Sequence, residues 1–136
     1  MVLMTLQAGC WETDYGALSG SETAAPDDFR FLGRTARCYL ELPSVPRSLL
    51  VNCFHIEGQL HIHSNRWAKI PRLRGESWVE TVRRNPEVRV QVDDEIYTMR
   101  AVVIENEQKR VALLHERGYW RAWNGITVFR FVPAPE

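Results

Sequence analysis

Five residues suited to holding a phosphate stand at two places in the sequence: Arg47, and then Ser64, Asn65, Arg66 and Lys69. A guanidinium grips phosphate through parallel N–H donors, an ammonium acts as a point charge, and hydroxyl and amide groups complete the shell. Arg72, Arg74, Arg83 and Arg84 extend the positive charge. They read first as solvated surface, and second as partners for an acidic cofactor tail or another subunit. His61-Ile62-His63 sets two imidazoles on one strand face, with His55 on the opposite parity. Zinc wants three or four ligands, and no third one shares that face. These histidines therefore line a pocket or serve the structure. Trp120-Arg121-Ala122-Trp123 reads as packing in the core or at a subunit interface. Ser19, Ser21 and Thr23 belong to no nucleophile motif, so hydrolase chemistry has no support.

The chain around these residues has 136 positions, enough for one domain with a core of its own. Lys plus Arg number 17 and so do Asp plus Glu, so the net charge is zero. A protein built to hold nucleic acid usually carries a basic excess, and none is expected as a partner here. No apolar run approaches the length of a membrane-spanning helix. Cys10, Cys38 and Cys53 form no CxxC pair. Cys38 and Cys53 read as buried thiols or, in an oxidising compartment, as a disulfide. The first ten residues end in Ala8-Gly9-Cys10, like the end of a lipoprotein signal, but lack a positive start and a long apolar run. The expectation is a cytoplasmic protein, with lipid anchoring through Cys10 as the alternative. Residues 1–28 are rich in turn formers and read as an arm or tether, and residues 29–136 as the folded domain.

Within that domain, Arg37 to Leu42 predicts a strand, broken by Pro43 and Pro46. Arg47 to His55 and Leu60 to Ser64 predict a hairpin about the turn Glu57-Gly58. A two-residue turn sets Ile56 opposite Gln59, Phe54 opposite His61 and Asn52 opposite His63. Leu49, Val51, Cys53, Leu60 and Ile62 then face the core. Leu50, Asn52, Phe54, His61 and His63 share the other, mixed face, where a ligand pocket is expected. Ser77-x-x-Glu80 is a capping box for a helix from Trp78 to Arg84, ended by Asn85-Pro86. Val88, Val90 and Val92 alternate as in a half-buried strand, Asp93-Asp94 turns the chain, and Glu95 to Ile104 returns it. Asn106 caps a helix from Glu107 to Arg117, with Val111 and Leu114 inward and Gly118 as its stop. Ile126 to Val132 is the last strand. Six strands joined mostly by hairpins predict a mainly β protein, a six-stranded antiparallel split β-barrel with two or more short helices.

From Pro46 to Val103 the chain resembles the flavin-binding split-barrel superfamily, the pyridoxamine-phosphate-oxidase-like fold. Within it the likeness is strongest to the deazaflavin-dependent nitroreductase group, whose members carry a Trp, a short helix, and then Asn-Pro-Glu-Val leading into a strand. Here Trp78 precedes Asn85, Pro86, Glu87 and Val88 at that spacing. The resemblance implies cofactor contacts from Arg47, Asn52, His63, Ser64, Asn65, Arg66, Lys69 and Trp78. Asn52 stands where the flavin-oxidase branch has a Lys, and Arg66-Trp67 where the deazaflavin group has small residues. The same resemblance implies a homodimer with FMN or deazaflavin at its interface, passing hydride to a small-molecule electron acceptor in the manner of a nitroreductase or quinone reductase. No catalytic acid or base is assigned. The alternative is a non-catalytic barrel that binds haem, through His61 or His63, or another small ligand.

Overall fold

Alternating side chains organise the molecule. The computed structural model describes residues 16–32, 36–42, 47–67 and 77–135. Seven strands run in the order β1 (Ser21–Glu22), β2 (Ala36–Leu42), β3 (Arg47–Ile56), β4 (Gln59–His63), β5 (Glu87–Val92), β6 (Glu95–Val103) and β7 (Val128–Pro133). Helix α1 (Trp78–Arg84) lies between β4 and β5, and α2 (Glu107–Arg117) between β6 and β7. Strands β6, β5, β2, β3, β4 and β7 pair in that sequence, and β7 pairs back onto β6, closing a six-stranded antiparallel barrel. The fold class expected from the sequence is the one observed, with β1 added in parallel to the start of β6.

Every second residue of the barrel strands points inward. Cys38, Leu40 and Leu42 of β2, Leu49, Val51 and Cys53 of β3, and Leu60 and Ile62 of β4 are buried in the central cluster. Val88, Val90, Val92, Met99, Phe129 and Phe131 close it from the other side. Helix α1 begins at Ser77, whose Oγ accepts from the Glu80 N–H at 3.3 Å. It presses Trp78, Val79 and Val82 into the same cluster. Phe29 closes one end, its N–H donating to the Gly58 carbonyl and its ring standing edge-on to Tyr97.

The β3–β4 register agrees with the sequence reading at each predicted pair: Ile56 with Gln59, Phe54 with His61, Asn52 with His63. Its turn uses Glu57 at φ 52° and Gly58 at φ 81°, so both central residues are left-handed, the geometry of a type I′ turn. Glutamate is a poor occupant of that conformation and asparagine a good one. Glu57→Asn is expected to raise the unfolding free energy by about 0.5–1 kcal/mol, read by urea denaturation.

Cys38 and Cys53 are joined by a disulfide, with Cα atoms 6.0 Å apart, which decides between the two alternatives left open above. The register explains how they meet. Cys38 pairs with Val51 and Cys53 with Ala36, so the two cysteines are diagonal neighbours on the inner face of β2 and β3.

The mixed outer face of β3 and β4 is not the open pocket the sequence reading expected. Helix α2 lays Leu113 and Leu114 over it, and Ile104, Ile126 and Val128 complete a second apolar cluster around Phe54. His61 and His63 lie buried beneath this cover, while Asn52 remains exposed. Leu113 takes the inward place expected of Val111, which is only half-buried. Asn106 caps α2 through its Oδ1, and Gly118 ends it at φ 114°.

Candidate functional site

Where β4 ends, the chain leaves the barrel wall through Ser64, and the geometry there is set by backbone bonds. The Ser64 N–H donates to the Thr127 carbonyl, and the Thr127 N–H donates to Ser64 Oγ, both at 2.9 Å. Ser64 Oγ in turn donates to the Asn65 carbonyl at 2.9 Å. The serine is a staple between the loop and the approach to β7. Asn65 Oδ1 accepts from the Trp67 N–H at 2.8 Å and turns the chain. The loop lies close to residues 123–126. A Cβ on Gly125 would come within 1.9 Å of the Arg66 carbonyl oxygen, so only glycine allows this approach.

The approach stacks four side chains. The Arg66 guanidinium lies 4.5 Å from the Trp67 ring and 4.4 Å from the Trp123 ring. Arg121 lies 3.9 Å from Trp123, and Trp120 stands edge-on to it. Stacking covers the flat faces of a guanidinium and leaves its N–H edge for other partners. Among the described residues, neither Arg66 nor Arg121 uses that edge for an ion pair or hydrogen bond. Neither 64–67 nor 117–127 contains an Asp or Glu. On a chain of zero net charge this is a local cationic surface faced with indole. The cleft it lines, with Asn124 and Gly125 at its back, measures about 280 Å³. Trp67 is 44% exposed and Trp120 79%.

Arg110 holds the far wall. Its Nη1 donates to the carbonyls of Trp123 and Ile126, each at 2.9 Å, while Nε and Nη2 grip Glu107 at 2.7 and 2.8 Å. The Glu107 carboxylate keeps this guanidinium protonated, raising an already high pKa. A buried arginine with that many bonds fixes the turn carrying Trp123.

His63 sits just inside the same loop. Its Nδ1 lies 2.8 Å from the Ser64 carbonyl, which only accepts, so Nδ1 carries the proton and Nε2 is bare. Nε2 is buried without a partner. Phe54 lies against one part of the ring and the edge of Tyr119 against another. Burial, helped by the nearby Arg117 charge, pulls its pKa down to about 4. His61 stacks on Phe54 and is lowered in the same direction, chiefly by burial.

The predicted cofactor residues are thus only partly together. Ser64, Asn65 and Arg66 adjoin, although the Ser64 hydroxyl is committed to the backbone. Arg47 begins β3 opposite Leu42, five residues from Asn52, which is about 17 Å along a strand. Trp78 is an interior residue, 5% exposed and packed on Phe129. Lys69, Arg72 and Arg74 lie outside the described residues, as does Cys10. Of Trp120-Arg121-Ala122-Trp123, read from sequence as packing, the last three line the cleft. Arg110 and Thr127 were not singled out. The signal for Arg110 was its place on the Leu113–Leu114 side of α2, three residues after Glu107. No protein-family model matches this chain, and no curated protein matches it.

Proposed function

We propose that this barrel binds a flavin or deazaflavin cofactor and acts as an oxidoreductase, with the phosphate on Arg66 and Arg121 and a flat ring against the tryptophans. The observation that carries the reading is the pair of indole-stacked guanidiniums with unused donor edges, Arg66 in the loop where the split-barrel resemblance puts phosphate and Arg121 on the facing segment. The closed antiparallel barrel and the Trp78-to-Val88 element are compatible with that resemblance. The residues present fit a phosphate and a planar ring. When bound, the ring itself would supply the hydride chemistry. The chain's own residues anchor, stack and orient. The substrate is then a small electron acceptor such as a nitro compound or quinone.

At about 280 Å³ the cleft is smaller than the usual pocket for a ligand of this size. A second copy of the chain covering the exposed Trp67 and Trp120 would complete it, which supports the homodimer. The Cys38–Cys53 bond favours an oxidising compartment over the expected cytoplasmic one.

The test is a titration of the purified protein with FMN and with deazaflavin, followed by fluorescence. Micromolar binding is expected, weakened about tenfold or more by Arg66→Ala through loss of one charge-assisted contact. Binding that ignores Arg66→Ala, or no binding of either cofactor at tens of micromolar, would sink the reading. Haem has one observation in its favour, the bare Nε2 of His63, but Tyr119 would have to leave for a porphyrin to reach it. A Soret band that disappears in His63→Ala is the result that would favour haem.

A further inference from the structure

Across the turn that carries Trp123 lies a second pocket, of about 270 Å³, with Asn124 lining both. Its walls include Arg83, Glu105, Glu107, Arg110 and Thr127. We infer that this pocket binds a small zwitterion of the α-amino-acid class, a site separate from the flavin cleft and not dependent on it.

The charges come in two pairs. Arg83 Nη1 donates to Glu105 at 2.9 Å, and Arg110 grips Glu107 with two bonds. The glutamate side chains are 70% and 65% exposed, so both carboxylates face incoming molecules, and Arg83 is bonded to only one oxygen of Glu105. Arg110 is occupied on Nε, Nη1 and Nη2 and forms a fixed wall. Arg83 makes no further hydrogen bond among the described residues, so Nε and Nη2 remain for a ligand. A lone anion entering here meets two carboxylates, and a lone cation meets two guanidiniums. A molecule that carries both charges a few bonds apart satisfies both.

The pointer to a ligand is Thr127. Its backbone is held in place because its N–H and carbonyl are both bonded to Ser64. Its Oγ1 is buried and has no partner. A buried hydroxyl left unpaired is costly, and in native proteins such groups usually serve a ligand or a bound water. With Asn124 beside it, the hydroxyl is placed to donate to a carboxylate held by Arg83. The ammonium end then faces Glu105 and Glu107.

The experiment measures thermal shift and calorimetric binding of the full chain with L-alanine as probe, and with acetate and ethylammonium as single-charge controls. L-alanine at millimolar concentration is expected to raise Tm by mass action, and neither control to do so. Thr127→Val, isosteric and without the orphan hydroxyl, should keep or raise the ligand-free Tm yet bind L-alanine about tenfold more weakly. Arg83→Gln should abolish the shift. No response to L-alanine, an equal response to either control, or full binding by Thr127→Val would overturn the assignment. Cofactor titration of the Arg83→Gln protein, whose changed side chain lines the second pocket and not the cleft, should match wild type, so the two sites fail or succeed separately.

Discussion

Replacing Cys38 and Cys53 together by alanine is expected to lower the unfolding free energy by about 3 kcal/mol and Tm by about 10 °C. The bond spans 15 residues of sequence, and a loop of that size restricts the unfolded chain by about that amount. Both cysteines are fully buried, so the two missing sulfurs also leave voids that act in the same direction. Urea denaturation of the double variant measures the loss. Alkylation of the unfolded, unreduced wild type supplies the chemical check, since these two thiols should stay unlabelled. Labelling of both, or a double variant as stable as wild type, would remove the bond from the account. Because neither sulfur reaches solvent, reductant added to the folded protein should act only as fast as the barrel opens.

Acid should weaken the fold through His63. Its pKa is about 6.5 when unfolded and about 4 when folded. Above about pH 6.5 it is neutral in both states and contributes nothing to the pH dependence. As pH falls below that value the unfolded chain takes up the proton first, and stability drops. The loss is about 2 kcal/mol by about pH 5, and reaches about 3 kcal/mol once pH falls through about 4. The groups around the ring explain why the native state refuses the proton. Arg117 repels it, Phe54 and Tyr119 offer no acceptor, and the Ser64 carbonyl already serves Nδ1. His63→Phe preserves the stacking and forgoes one hydrogen bond, so it should be about 1 kcal/mol less stable at neutral pH. Its stability should then fall less steeply than wild type between about pH 6.5 and about pH 4.5. Equal slopes for the two proteins would mean that His63 titrates freely in the native state.

Much of the barrel was legible because its signals are local. The alternation of Val88, Val90 and Val92, the Glu57-Gly58 turn and the caps Ser77, Asn106 and Gly118 each act over a few residues, and the fold uses each of them. The disulfide is not legible in the same way, because two cysteines 15 residues apart can face each other or not, depending on register. The cover over His61 and His63 was illegible for a different reason. It depends on α2 returning to pack outside the barrel, a tertiary choice that an amphipathic pattern permits without specifying its partner. The cleft shows the same division. Ser64 to Arg66 stood out by composition, while Trp123 could not be joined to Arg66 before the two segments were seen side by side. Trp78 was drawn toward the cofactor by resemblance, but its position at the start of a short buried helix sends it into the core.

Strand β1 is only two residues long, yet it lies where β6 has no barrel partner. Strand β7 pairs with β6 from Met99 onward, so among the described residues the Asp94 and Ile96 carbonyls would otherwise stand bare along that side. The Ser21 and Thr23 N–H groups donate to those two carbonyls, and Gly20 lets the segment lie close enough, since a Cβ there would fall 2.5 Å from the Asp94 carbonyl oxygen. An unpaired strand edge is a template on which another chain can extend the sheet. The short strap is therefore a guard against edge-to-edge aggregation, and it places the solubility of the barrel in a polar stretch of sequence that contributes little to its core.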